Sequence, residues 1–220
     1  ATAVYQLIGG ASNVMIGEAA GLNIKDGSNN IAIGHGALDA ANGTTAGGDA
    51  ENFNIAVGTN ALGAETSGSG GGTAIGHGAL ATQNRDDSRN TAIGYNALTA
   101  LRATGGGNYG GIQNTALGYN AGGSGVFGGG SDGDGNDNTL VGYAAGYAIS
   151  TGKENVIVGS NAGAAATSAY SNVLIGRQAG TAMDTNHNNI AIGHGALDAA
   201  TDNEHYNVAI GNGALGAEDS

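Results

Sequence analysis

The sequence predicts an all-β fold, a parallel β-solenoid of about eleven coils, from a repeat, its spacing and its composition. A nine-residue phrase recurs eleven times at short, regular intervals, and its first half is rich in Ile, Val and Thr, as a strand is. Glycine supplies 45 of 220 residues, whereas proline and cysteine are absent. A collagen helix, which needs proline, and a disulfide-linked scaffold are therefore excluded.

The repeated phrase is Asn, an apolar or β-branched residue, a small or apolar residue, Ile/Val/Leu, Gly, two variable residues, Ala, and then Gly or Leu. Residues 30–41 and 189–200 are identical. The glycine at position five recurs at spacings of 17, 18 or 24 residues. The longer spacings add stretches such as 42–51, 103–112 and 123–137, whose glycine-rich compositions predict loops on one side of the coil.

Each shared position has a predicted structural role. Asn at the start can form a hydrogen-bonded ladder between stacked coils. Gly can end the strand in a conformation closed to other residues or allow tight approach between coils, and Ala marks a place where only a methyl group fits. Three repeats show the predicted structural positions: Asn30, Gly34 and Ala37; Asn90, Gly94 and Ala97; Asn189, Gly193 and Ala196. The predicted organisation is a cap or joining segment at 1–12, the repeat domain at 13–215 and a tail at 216–220.

Both faces of the predicted strand are apolar, so both are expected to be buried. One face can line the coil, and the other then needs a second surface, which predicts an oligomer. Because the middle strand residue is small, Ala32, Ala56, Ala92, Ala191 and Ala209 are expected at a close contact between chains. The alternative is a wide single-chain solenoid whose interior takes both faces.

The charge balance limits the classes of partner. Eighteen acidic and six basic residues give a formal net charge of −12, which argues against nucleic acid and against anionic membrane surfaces. No apolar run approaches the roughly 20 residues that a membrane-spanning helix needs, so no membrane insertion is expected from this segment.

Phrases such as NVAIGNGAL (207–215) and NTAIGYNAL (90–98) resemble the head repeats of trimeric autotransporter adhesins, the YadA-like head, and related repeats of phage tail fibres. The resemblance covers about residues 13–215. It implies a left-handed parallel β-roll, three chains around a common axis, and adhesion to host or matrix surfaces. The period here is longer than in the typical head, and the long glycine-rich loops are a departure from it.

The first variable residue after each glycine occupies the same position in every repeat. These residues are expected to form a column along the stacked coils, here called a rank, that faces solvent. Tyr95, Tyr119 and Tyr143 lie in consecutive repeats of this rank and predict an aromatic strip that could bind a sugar face, or simply shield the strand edges. His35, His77 and His194 occupy the same rank in separated repeats, where exposed structural histidines are expected rather than a metal site.

The segment 128–140 brings together Asp132, Asp134, Asn136 and Asp137 among glycines. Hard oxygen ligands on a flexible backbone are the chemistry of Ca²⁺ loops, so these residues are a candidate Ca²⁺ site, with a solvated polar turn as the alternative.

No catalytic constellation or phosphate-binding loop is present in the sequence, so no catalytic residue is assigned and an enzyme is not expected. The predicted function is an extracellular structural or adhesive fibre element, on a cell or virion surface, that attaches to host-surface or matrix glycan or protein as a homotrimer. The alternative is a self-assembling extracellular filament whose subunits stack end to end without a specific receptor. Ice binding has weaker support, since Thr73, Thr91, Thr115 and Thr139 form a rank in only four repeats.

Overall fold

The computed structural model describes residues 10–24, 27–39, 52–63, 70–83, 89–101, 110–123, 134–199 and 204–216. Strands and turns make up these ranges, and no helix occurs within them. The predicted all-β parallel solenoid is confirmed. Most of the predicted N-terminal segment, residues 1–9, and most of the tail, residues 217–220, lie outside the described ranges.

Each repeat contributes one strand of three residues, and the eleven strands form a single sheet in chain order. Every strand pairs in parallel with the next, and equivalent positions face each other, as in Ala92 with Ala116 between the fifth and sixth strands. The strands are β1 (Val14–Ile16), β2 (Ile31–Ile33), β3 (Ile55–Val57), β4 (Thr73–Ile75), β5 (Thr91–Ile93), β6 (Thr115–Leu117), β7 (Thr139–Val141), β8 (Val156–Val158), β9 (Val173–Ile175), β10 (Ile190–Ile192) and β11 (Val208–Ile210). The position of a residue within its repeat therefore fixes its position on the solenoid.

Asparagine side chains of the preceding coil fix the start of most strands. The backbone N–H of Asn114 donates to Asn90 Oδ1 at 2.8 Å, and that of Asn138 donates to Asn114 Oδ1 at 2.9 Å. The Asn90 amide also donates to Gly111 O at 2.8 Å, which ties the approaching chain to the previous coil. Asn30, Asn90 and Asn189 are almost wholly buried. A buried amide is stable only when it is hydrogen-bonded, so this ladder holds the register of the coils.

Glycine ends each strand because no other residue fits there. Gly34, Gly94 and Gly193 have φ values of +131°, +138° and +139°, in a region that side chains rarely adopt. The backbone of the next coil is also too close for a side chain, since a Cβ on Gly34 would lie 2.7 Å from the carbonyl oxygen of Gly58. Strand length is therefore set at three residues by Asn on one side and Gly on the other.

The middle residue of each strand points into the coil, and this overturns the predicted chain–chain contact. Ala32, Ala56, Ala92 and Ala191 are 0% exposed within the single chain, and Ala209 is 2% exposed. They belong to one core cluster with the shared alanines after the glycine, such as Ala37, Ala97 and Ala196. The prediction that these strand alanines lie between chains is wrong, because alternation alone does not say which face is inside. The narrow interior of the coil takes the small side chain.

Core volume is balanced within almost every repeat between the middle strand residue and the last residue of the phrase. Where the strand supplies Ala, the phrase ends in Leu, as with Ala92 and Leu98; this Leu is buried in the repeats of β2 to β5 and β10, and it is exposed in the last repeat, at Leu215. Where the strand supplies a large residue, the phrase ends in Gly; this holds at Met15, Leu140, Ile157 and Leu174. A Cβ on Gly146 would lie 2.7 Å from Leu140 Cδ2, so the large side chain occupies the place of the missing Leu. The repeat of β6, with Ala116 and Gly122, is the exception.

One repeat lacks the starting asparagine and replaces it from elsewhere. Gly72 stands at this position, and its N–H still donates to Asn54 Oδ1 at 2.9 Å. The fully buried Gln83 reaches the vacant place: its Oε1 accepts from the Asn90 amide at 3.2 Å, and its Nε2 lies 3.4 Å from where a Cβ on Gly72 would be. Gln83 Nε2 has no hydrogen-bond partner among the described residues. The ladder is thus continued by a glutamine from the same repeat.

The outward face of the sheet is an apolar stripe formed by the first and third residues of every strand. Several of these side chains are exposed although they are large and apolar: Val14, Ile16, Ile75, Leu117, Val156, Ile175, Ile190, Val208 and Ile210. In β4 to β7 the first position is Thr, so four stacked threonines form part of this stripe. The strand face that is left for a second surface to cover is therefore this outward face, and not the alanine face.

Candidate functional site

The rank of variable residues after the strand-ending glycines runs straight along one edge of the sheet. Backbone hydrogen bonds keep it in register, since the residue after each rank member donates to the carbonyl of the previous one. Asn120 N donates to Tyr95 O at 2.9 Å, and Ala144 N donates to Tyr119 O at 2.9 Å. A side chain in this rank therefore lies directly beside its equivalents in the neighbouring coils. We call these residues the edge rank.

An aromatic ladder occupies the middle of the edge rank. Tyr95 and Tyr119 stack with ring centroids 5.2 Å apart and an interplanar angle of 7°, and Tyr119 and Tyr143 stack at 5.4 Å and 6°. His77 extends the ladder by stacking on Tyr95 at 5.0 Å and 28°. The exposed fractions of the three tyrosines are 46%, 47% and 55% along the chain. The structure thus brings together the three tyrosines that the sequence singled out and adds a histidine to them.

The stacking decides what the ladder can offer to a ligand. In parallel stacked rings each inner face covers its neighbour, so the inner members present ring edges and hydroxyl groups. A sugar cannot lie across the faces of Tyr95 and Tyr119, as a strip of side-by-side rings would allow. Only the two end members keep a face that no ladder ring covers.

The C-terminal part of the edge rank is polar and hydrogen-bonded. Arg177 Nη1 donates to His194 Nε2 at 2.8 Å. Since arginine has no acceptor, Nε2 must accept, and the Nδ1–H of His194 donates to Asn212 Oδ1 at 3.1 Å. His35, His77 and His194 are all exposed, and they lie in the repeats of β2, β4 and β10. They are not brought together.

A second aromatic ladder was not predicted from the sequence. Tyr170 stacks on His187 with centroids 4.4 Å apart, and His187 stacks on His205 at 3.5 Å, with the backbone N–H of His187 donating to His205 Nδ1 at 3.2 Å. Tyr206 meets His187 edge-on. Each stacked member lies two residues before the starting asparagine of its repeat. The signal for this second ladder is in the sequence, since alignment of the repeats on that asparagine places Tyr170, His187 and His205 at one position.

The predicted Ca²⁺ loop is described only in part. Asp132 lies outside the described residues. Asn136 is 7% exposed, and its Oδ1 accepts the N–H of Ile112 at 2.9 Å, so this oxygen serves the packing of one coil on the next. The N–H of Asp137 donates to Ile112 O at 3.2 Å in the same contact. Within the described ranges no three His, Cys, Asp or Glu side chains are grouped as metal ligands. The Ca²⁺ site, which also included Asp134, stays a prediction.

Across the described part of the chain, no helix has the length and apolarity needed to cross a bilayer. Comparisons with protein-family models, with curated proteins and with solved structures find no match.

Proposed function

We propose that the chain is a structural or adhesive fibre element of an extracellular surface, assembled as a homotrimer through the outward apolar stripe. The observation that carries the proposal is the stripe itself. It runs along all eleven strands, about 48 Å at the usual strand spacing. Its exposed side chains include Leu117 at 46% and Ile210 at 67%.

A largely apolar face that is exposed or half-buried along the whole solenoid marks an interaction surface. The stripe is regularly spaced because equivalent side chains stack in register, so its best complement is another surface with the same spacing. A second and third copy of this chain offer that spacing. The resemblance of the Asn–x–x–Ile–Gly–x–x–Ala phrase to YadA-like heads and tail-fibre repeats favours three copies around an axis. It also supports attachment to host or matrix surfaces.

The test of assembly is the native mass of the protein, measured by light scattering or native mass spectrometry. We expect three times the 21.1 kDa of one chain. Ile75→Lys places a charge in the stripe and should shift the particle toward monomer without loss of the β circular-dichroism signal. Thr59→Lys is the control, since Thr59 is exposed on the edge rank and lies off the stripe. A monomeric wild type, or equal effects of the two variants, would overturn the trimer.

Adhesion is tested separately with immobilised glycans and matrix proteins. A surface element should be retained on at least one class of these and not on a blocked support. Retention of none would contradict the adhesive role.

The second candidate is an end-to-end filament. A Cβ on Gly142 would meet the next coil at 2.7 Å, whereas a Cβ on Gly211, after β11, would meet nothing closer than 3.9 Å. The β11 edge is therefore open in the described part of the chain, and open strand edges pair with other edges. Particles of indefinite length in the mass measurement would favour this candidate over the closed trimer.

A further inference from the structure

The aromatic ladder ends at Tyr143, and the next coil leaves one ring face uncovered. The inner face of Tyr143 stacks on Tyr119, and the next member of the edge rank is Ser160, which is too small to cover the other face. Ser160 lies directly beside Tyr143, because Asn161 N donates to Tyr143 O at 2.8 Å. Tyr143 is accordingly the most exposed of the three ladder tyrosines, at 55%.

An arginine bounds the other side of this gap. Arg177 follows Ser160 in the edge rank, and Gln178 N donates to Ser160 O at 3.0 Å, which keeps it in register. The guanidinium is exposed, and His194 holds it through one of its five N–H groups. The remaining N–H groups suit a planar carboxylate, which arginine binds in a two-pronged geometry. We call the gap formed by Tyr143, Ser160 and Arg177 the ladder slot.

The dimensions of the ladder slot fit one sugar ring. Two coil steps separate the backbone positions of Tyr143 and Arg177, about 9.6 Å at the usual strand spacing. A ring stacked on Tyr143 takes up about 4.5 Å of this. The remaining distance of about 5 Å is spanned by a carboxylate on the ring and a charge-assisted hydrogen bond of about 2.8 Å to the guanidinium. The Ser160 hydroxyl at the floor can donate to or accept from a ring hydroxyl.

We propose that the ladder slot binds a single acidic pyranose, a uronic or sialic acid residue of a surface polysaccharide. The C–H face of the sugar covers the free face of Tyr143, the carboxylate pairs with Arg177, and a ring hydroxyl bonds to Ser160. The inference deepens the adhesive function proposed above and rests on it, because it names the class of surface ligand. The net charge of −12 opposes an anion at long range, but at physiological salt such repulsion is screened beyond about 8 Å.

The test uses the full chain and two matched oligosaccharides, one ending in glucuronic acid and one ending in glucose. Saturation-transfer NMR and calorimetry should show binding of the acidic sugar at least tenfold tighter than that of the neutral one. Arg177→Gln should reduce the acidic sugar to the level of the neutral one. The third ligand to be tested is a neutral sugar that carries a sulfate group. If it binds as tightly as the uronic acid, the site recognises any anionic group and not a carboxylate, and the proposal is overturned.

The sharpest variant is Ser160→Tyr, which fills the ladder slot by extending the stack over Tyr143. It should abolish binding of the acidic sugar while leaving the β spectrum and the oligomeric state unchanged. Thr59→Tyr makes the same kind of change at the other end of the ladder, beside His77, and should leave binding intact. Retained binding in Ser160→Tyr would overturn the slot.

Failure of the slot and failure of the proposed function are distinguishable. A trimer that attaches to surfaces equally well with and without Ser160→Tyr refutes the slot and leaves the function standing. A chain that binds glucuronate but neither assembles nor attaches keeps the slot and refutes the function.

Discussion

Gly142, at the end of β7, has a φ of +135°, and a Cβ there would lie 2.7 Å from the carbonyl oxygen of Gly159 in the next coil. Two independent constraints thus act on one residue. The backbone region is nearly exclusive to glycine, and the space is filled by backbone, which cannot rotate away as a side chain can.

Gly142→Ala should therefore lower the free energy of unfolding by about 3 kcal/mol or more, since backbone strain and overpacking add. The measurement is the denaturant midpoint at constant slope. Gly211→Ala is the matched control: its φ is +132°, and the nearest atom to the added Cβ is Ala214 Cβ at 3.9 Å. That change should cost about 1–3 kcal/mol from the backbone conformation alone. If both variants lose the same free energy of unfolding, the close contact between coils at Gly142 contributes nothing to the cost of the substitution.

At the scale of one coil, the balance between the middle strand residue and the last residue of the phrase is the feature to test. Ala92→Leu alone overpacks the coil of β5 and should cost about 1–3 kcal/mol. Leu98→Gly alone removes a buried side chain and should cost about 2–5 kcal/mol. The double variant recreates the arrangement of Leu140 with Gly146. We expect its loss to be smaller than the sum of the single losses by more than about 1 kcal/mol.

A double-mutant cycle from thermal or urea unfolding measures this coupling. Additive losses would contradict the exchange of volume within the coil. The same cycle on Ala92 and the distant Leu197 serves as the control, because those two residues lie in different coils and should show no coupling.

The replacement of asparagine by Gln83 gives a second prediction for a single coil. Gln83→Ala removes the acceptor of one Asn90 N–H and leaves a cavity, so it should cost about 2–3 kcal/mol. Adding Gly72→Asn should recover much of that loss, because the new amide takes the usual place in the ladder. In the wild-type background, Gly72→Asn should destabilise, since Gln83 already fills the site. Urea unfolding of the three variants measures these changes in stability. If the double variant is less stable than Gln83→Ala alone, Gln83 does not take the place of the missing asparagine.

At the scale of the whole molecule, the sequence was sufficient for the class of fold, because the repeat fixes strand, turn and stacking together. Gly at the end of the strand and Ala in the turn report local requirements that hold in every coil, and Asn at the start of the strand reports one that holds in every coil except that of β4, where Gly72 stands in its place. Which face of a strand points into the coil was not predictable from the alternation of Thr91, Ala92 and Ile93 alone, since the residues on both faces of most strands are apolar. The exchange of volume between the middle strand residue and Leu98 decides which face is inside.

For the candidate site, too, the sequence predicts which residues of the edge rank lie together but not how their side chains are oriented. The spacing predicted that Tyr95, Tyr119 and Tyr143 would lie together, since equal positions in a repeat must stack. The spacing could not show that the rings turn their faces to one another, because ring orientation depends on side-chain torsions. Likewise, the gap beside Tyr143 becomes visible only when the ladder is known to be stacked face to face.

Each strand of the sheet contacts only the strands before and after it, and this has a mechanical consequence. A chain pulled from its C-terminal end should lose one coil at a time, since no contact spans two coils among the eleven strands. A coil of 17 residues then releases about 56–61 Å of extended chain, and a coil of 24 residues releases about 79–86 Å. Single-molecule stretching would record steps of two sizes in the order in which the long and short coils occur. Because the coils with loop insertions give longer steps, the sequence of step lengths identifies which coil of the solenoid has unfolded.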